Sequence, residues 1–219
     1  TYKNFFQIGF RRLSIIDLDE RSNQPMTTDD KKLIIVFNGE IYNFKKIKKE
    51  LINNNVKFQT NSDTEVILAL YKHRGEDGLR LLRGMFSIAI CDIIKKKFLF
   101  LRDPYGIKPL YYYYKNETFL FSSTVKSLLN FEKVNKKICE ESLNFFYFFD
   151  FIKENQTIIE EIKSFEPGYL YEVDFENNVS NKKIFNITDI FNNSEKERID
   201  LKESFENNLT KHLQSDVPL

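Results

Sequence analysis

The order of apolar and polar positions predicts a strand and two helices, then a run of short strands, then a polar stretch before one last helix. Leu33-Ile34-Ile35-Val36-Phe37 is a β-branched apolar run closed by Asn38-Gly39, which predicts a strand entering a tight turn. From Asn43 the period lengthens: Phe44, Ile47 and Leu51 recur at helical spacing with lysines between them, and Asn53-Asn54-Asn55 marks a stop. Ser62-Asp63-Thr64-Glu65 has the form of a capping box, so a second helix is expected to open there with Val66 and Leu70 on its apolar face. A helix-like segment at 79–83 follows.

Short β-type runs then fall at 86–91, 98–101, 110–114 and 118–122, separated by turn-like segments that include Asp103-Pro104-Tyr105-Gly106. Consecutive hairpins of this kind imply antiparallel pairing, not a βαβ winding. Helices are expected at 125–129 and 141–149, and a closing strand at 169–173 after Pro167-Gly168. The polar stretch 177–193 reads as turn or linker, and Leu201, Phe205, Leu209 and Leu213 then mark one amphipathic helix.

Composition narrows the function classes. At 42% apolar and 30% charged, the 219 residues suit an ordinary globular chain, and a net charge of +1 gives no footprint for a nucleic-acid backbone. No stretch approaches the length of a membrane span; the richest, 145–152, is interrupted by Asp150 and is expected to be a buried helix end. Cys91 and Cys139 are too few for a disulfide framework or a zinc set, and Cys91 lies in an apolar run as a small hydrophobe. The reducing cytoplasm is the expected compartment. His73 and His212 lie on helices without metal spacing, and no Ser/His/Asp set, HExxH or glycine-rich phosphate loop is present.

Three polar clusters remain. Arg11-Arg12 sits at the edge of an apolar run, Asn38-Gly39-Glu40 at a strand end, and Asp63 in the first turn of a helix. Taken singly they fit a surface ion pair, a hairpin turn and a helix-start acid. Together they offer what a free amino acid needs: carboxylates for its ammonium, an arginine for its carboxylate, and amide donors for a reacting carbonyl.

The segments GFRRLSIIDLDERSNQPM, VFNGEIYNF, FQTNSDTEVIL, LRGMFSIAICD and LRDPYGIKPLYY resemble, in order, the glutamine-dependent asparagine synthetases and their class II glutamine amidotransferase domain. The likeness returns at 162–171 and 209–218. It implies an α+β fold, a four-layer α/β/β/α sandwich of antiparallel sheets (the N-terminal-nucleophile hydrolase fold), incomplete at the N-terminus. Residues 1–176 would form the glutaminase domain, 177–196 a linker, and 197–219 the first helix of the synthetase domain.

By this resemblance Arg12 holds the α-carboxylate of glutamine, with Leu13, Ser14, Ile15 and Ile16 lining the site. Glu40 and Asp63 hold its α-ammonium, and Asn38 and Gly39 form the oxyanion hole and also touch the substrate. Arg102, Asp103, Gly106 and Lys108 are expected to be turn and packing residues. The released ammonia would amidate aspartate to asparagine. No metal is expected in this part; ATP and Mg2+ belong to the missing synthetase domain, as does aspartate. No nucleic-acid or membrane partner is implied, and a homodimer is one assembly the family allows.

The chain departs from the family at both ends. The family's nucleophile is the thiol of an N-terminal cysteine on a strand well before the position of Arg12, whereas eleven residues precede Arg12 here and Thr1-Tyr2-Lys3-Asn4 does not resemble that strand. Cys91 and Cys139 are mid-chain and lack the free amine. The final Ser215-Asp216-Val217-Pro218 leads, in the family, into a pyrophosphate loop that this chain does not reach. Phe10 stands where the family has a polar residue. As supplied, the chain is expected to fold poorly and to hydrolyse nothing. Two alternatives stay open: an amidotransferase with another acceptor, and a binding module with a relic glutamine site. Glucosamine-phosphate synthase and amidophosphoribosyltransferase share the fold but match these segments less well.

Overall fold

The computed structural model describes residues 6–11, 16–186, 200–213 and 216. Arg12, Leu13, Ser14 and Ile15 therefore lie outside the described residues, as does the second half of the expected linker.

The chain builds two antiparallel sheets. The larger has the order β1 (Met26–Thr27), β2 (Leu33–Ile41), β3 (Gly84–Asp92), β4 (Lys97–Arg102), β8 (Tyr169–Asp174) and β9 (Val179–Lys183). The smaller places β5 (Tyr111–Lys115) between β6 (Thr118–Ser122) and β7 (Ile162–Ser164). Side-chain alternation sorts each strand between two cores. From the large sheet, Ile35, Phe37, Ile41, Phe86, Ile88, Leu99 and Leu101 pack against α1 (Phe44–Asn53) and α2 (Asp63–Leu79). From its other face, Val36, Ala89, Phe100, Tyr171 and Val173 meet Leu110 and Phe165 beside the small sheet. The far face of the small sheet gives Tyr113 and Ile162 to a third cluster with Leu128 of α3 (Val125–Leu128). These three cores separate four layers, helix, sheet, sheet, helix, in agreement with the expected sandwich.

The expected helix periods hold. Phe44, Ile47 and Leu51 are the buried residues of α1, and fully burying such side chains stabilises by about 2 kcal/mol each. Ser62 caps α2 by accepting from Thr64 N, but the expected capping box is only half formed. Glu65 reaches past Ser62 to accept from Gln59 N at 2.8 Å and Thr60 N at 2.7 Å. Gly75, at φ 61°, breaks α2 before its last turn, so the helical piece expected at 79–83 ends at Leu79 and the chain turns through Arg80–Arg83 into β3.

Asn38-Gly39 is not a turn. β2 runs through it to Ile41 because β3 pairs along its whole length, with Asn38 opposite Ser87, Gly39 opposite Phe86 and Ile41 opposite Gly84. The chain turns only at Tyr42-Asn43, where the Asn43 amide donates to Leu81 O and accepts from Arg83 N. The polar stretch expected as turn or linker contains β9, every residue of which is exposed. A solvated edge strand carries no apolar alternation, and lysines there blunt further pairing. The aromatic run expected to be a buried helix end lies in α4 (Glu140–Phe149), where only Ser142 is buried; Tyr147 is 84% and Phe148 78% exposed.

Arg102 and Asp103 do the structural work expected of them. The Arg102 guanidinium donates to the carbonyls of Gly106, Lys108 and Phe165 and to Ser164 Oγ. The fully buried Asp103 carboxylate accepts from the backbone N–H groups of Tyr105, Ile107, Lys108 and Phe86. The last element, α5 (Leu201–His212), has no buried residue; its end meets Tyr42, whose hydroxyl lies 3.0 Å from His212 Nδ1. Among the described residues, no helix is long and apolar enough to cross a membrane.

Gly39 has φ +144°, and a Cβ there would sit 2.0 Å from the Met85 carbonyl oxygen. Gly39→Ala is therefore expected to part β2 from β3 and to lower the unfolding free energy by more than about 3 kcal/mol in urea titration. A loss under about 1 kcal/mol would contradict this close approach.

Candidate active site

An open cavity of ≈ 1090 Å³ lies at the end of β2 and runs back between the sheets. Its inner part is apolar, walled by Phe98, Phe100, Phe119 and Phe121. Its polar end gathers Arg11, Ile16, Gln24, Asn38, Gly39, Glu40, Asp63, Thr64, Ser87 and Lys108. Every described residue of the expected glutamine site is thus on one cavity. Strand parity explains part of this: Val36, Asn38 and Glu40 share the face of β2 that looks away from α1 and α2, and Ser87 lies opposite Asn38.

The backbone donors of β2 are as informative as its side chains. Phe86 exchanges its polar groups with Asp103, giving its N–H to Oδ2 and its carbonyl to Asp103 N at 2.8 Å. Its partner Gly39 therefore points its own N–H away from β3, toward the edge that β1 would occupy. β1 has already ended, with Met26 opposite Ile35. Along that edge Phe37 N donates to Gln24 Oε1 at 2.6 Å, and Ile41 N donates to Asp63 Oδ2 at 3.2 Å. Between these two satisfied groups, Gly39 N–H has no partner among the described residues and borders the cavity. The Asn38 side-chain amide is likewise unpaired there. Two donors side by side at a cavity wall are the arrangement that stabilises a developing oxyanion.

Asp63 is the unusual acid. It is 5% exposed, and burial pushes its pKa from 3.8 up to about 6, a rise that Glu40's nearby charge reinforces and the backbone donors of Ile41 and Thr64 oppose. Neither Asp63 nor Glu40 forms an ion pair with a cation among the described residues. A buried carboxylate beside a second acid, neither of them ion-paired among the described residues although Arg11 and Lys108 line the same cavity, can receive a cationic ligand. Asp17 accepts from Asn61 N at 2.6 Å and is thereby tied to the approach of α2. Among the described residues, no group of His, Cys, Asp and Glu is arranged to hold a metal ion.

A model of the glutamine amidotransferase domain matches residues 2–185. The chain belongs to that family. It is 36% identical over 213 residues to asparagine synthetase [glutamine-hydrolyzing] 1 of Bacillus subtilis, covering 96% of this chain and 33% of that protein. It is 35% identical over 175 residues to a putative asparagine synthetase [glutamine-hydrolyzing] 2 of Methanocaldococcus jannaschii, covering 72% of this chain and 33% of that protein. The chain thus spans about a third of the length of these relatives. A solved structure described as the allosteric regulatory enzyme of purine biosynthesis superposes with a TM-score of 0.53 at 20% identity, covering 75% of this chain and 32% of that one. That likeness supports the N-terminal-nucleophile hydrolase fold of this amidotransferase domain.

Cys91, set aside as a nucleophile on sequence grounds, is 0% exposed, and burial pushes its thiol up to about 12. Cys139 heads α4 and is not on the cavity. Residue type and spacing do not single out Gln24, Thr64 or Ser87 as site residues. Gln24 acts through a side chain standing in for backbone, and Ser87 is a polar step in an apolar strand, visible only once its register with Asn38 is known.

Because folding raises the Asp63 pKa, the folded state holds that proton more tightly than the unfolded chain. Its stabilising effect is present below about pH 4 and is lost as pH rises through about 6. Asp63→Asn keeps an acceptor for Ile41 N and removes the buried charge. The variant is expected to be about 1–3 kcal/mol more stable than the parent at pH 7.5 and equal to it near pH 4 in denaturation curves. A variant less stable at pH 7.5 would contradict the uncompensated charge.

Proposed function

We propose that this cavity binds glutamine and that the chain is the glutamine-hydrolysing part of an asparagine synthetase. The observation that carries the proposal is the pairing of two carboxylates, Glu40 and Asp63, with two donors, the Asn38 amide and Gly39 N–H, on one cavity, the acids without an ion pair and the donors without an acceptor among the described residues. Free glutamine presents an ammonium to the first pair and a carboxamide oxygen to the second. Arg12 is assigned to its α-carboxylate, with Leu13, Ser14, Ile15 and Ile16 beside it. Burial makes the carboxylates strong ligands for the ammonium, because water competes weakly there.

Hydrolysis then needs a nucleophile facing the carboxamide carbon. In this proposal it is an N-terminal cysteine thiol, whose own α-amine takes the proton and passes it to the leaving ammonia; water then cleaves the resulting γ-glutamyl thioester to glutamate and the free thiol. Asn38 and Gly39 receive the negative charge on the carbonyl oxygen; preformed donors of this kind lower the barrier by on the order of 3 kcal/mol each. The names of the relatives support aspartate as the ammonia acceptor. ATP with Mg2+ would activate it outside this chain, and a homodimeric cytoplasmic enzyme is the assembly proposed.

The test uses the full protein as its source encodes it, supplied with glutamine, aspartate, ATP and Mg2+. Glutamine-dependent asparagine formation is expected, with KM for glutamine rising as pH falls through about 6 as Asp63 takes up its proton. Glu40→Gln and Asp63→Asn should each raise that KM by about 100-fold, the scale of a lost buried ion pair. Absence of glutamine hydrolysis by the full protein would overturn the proposal; hydrolysis without asparagine would overturn only the acceptor.

A further inference from the structure

β1 pairs with β2 only as far as Met26 opposite Ile35, and continuing that register would put residue 24 opposite Phe37. There the backbone gives way to a side chain. The Gln24 carboxamide accepts from Phe37 N at 2.6 Å and donates to Phe37 O at 3.1 Å, the two-way bond that a paired strand residue would make. The same Nε2 lies 3.3 Å from Thr64 Oγ1, a buried residue in the first turn of α2 next to Asp63. Gln24 thus joins the strand that carries Asn38 and Gly39 to the helix that carries Asp63.

We infer that Gln24 is a positioning residue for glutamine hydrolysis, one that holds the edge of β2 so that Gly39 N–H stays unpaired and directed into the cavity; this rests on the glutaminase reading above. The geometry requires an amide. A continuing backbone strand would cover Gly39 N–H as well as Phe37. A glutamate could accept from Phe37 N but not donate to Phe37 O, and a methionine could do neither. The carboxamide satisfies Phe37 and stops there. Asp63 performs the matching task at Ile41, two residues beyond Gly39. The free donor is therefore framed by one clamp on each side, and loosening either lets the strand edge shift. Errors of an ångström at a reacting centre are costly in rate.

Gln24→Met in the full protein is expected to lower kcat for glutamine hydrolysis by about 10-fold or more while the glutamine Kd stays within about 3-fold, since an oxyanion donor acts in the transition state. Amide hydrogen exchange should quicken at Phe37. Thr64→Val spares both bonds to Phe37 and is expected to cost about 3-fold in kcat, and the double variant to be no slower than Gln24→Met alone. Thr64→Ser, which keeps the hydroxyl, should restore the parental rate. A merely structural role would weaken Kd and thermal stability together with kcat, in proportion to lost folded protein. Parental kcat in Gln24→Met, or unchanged exchange at Phe37, overturns the inference. A parent that neither binds nor hydrolyses glutamine sinks the glutaminase reading instead, and exchange at Phe37 still decides whether the clamp exists.

Discussion

β2 outruns its neighbour. β1 stops at Met26, yet β2 continues to Ile41, and the backbone donors left along that edge must find partners or a ligand. Phe37 is satisfied by the Gln24 side chain and Ile41 by the Asp63 carboxylate. Gly39, between them, is left to the cavity. Among the described residues, this donor between two satisfied ones organises the site: it lies beside the Asn38 amide, where the Ile41–Asp63 bond brings the start of α2 against the strand end.

The orientation of that donor depends on support from behind. Asp103 takes both polar groups of Phe86, which turns Gly39 outward, and Asp103 is itself held in a loop whose far side is fixed by Arg102. Gly39 must lie against the Met85 carbonyl, and no larger residue fits there. Of residues 102–108 only Lys108 lines the cavity, yet the loop as a whole sets the orientation of the Gly39 donor. Asp63 shows the cost of such a site, since its buried charge opposes folding above about pH 6 until a cation arrives. Destabilised acids of this kind concentrate where ligands bind.

Much of the fold was legible in the alternation of apolar residues. β2 through β6 and β8 follow from their period, and α1 from Phe44, Ile47 and Leu51. The misreadings have physical causes. Asn38-Gly39 has the composition of a turn, but its glycine answers a steric contact across a strand pair, which only the pairing partner reveals. β9 has no buried face, so its residues alternate in nothing. The aromatics of α4 looked like core because apolar residues usually are, yet among the described residues little packs on them. At the site, Asn38, Glu40 and Asp63 stood out by residue type, and the family resemblance supplied their grouping. Gln24 did not stand out, because a side chain replacing a strand residue leaves no periodic trace.

The proposed ammonium role of Asp63 is open to direct observation by carbon-13 NMR titration of its carboxyl group, with and without saturating glutamine. The free protein should titrate near 6. With glutamine bound, the ammonium should draw the midpoint down by about one unit or more, the scale expected for an adjacent opposite charge. A midpoint that does not move when glutamine saturates the protein would contradict the assignment of Asp63, and with it the reading of this cavity as a glutamine site.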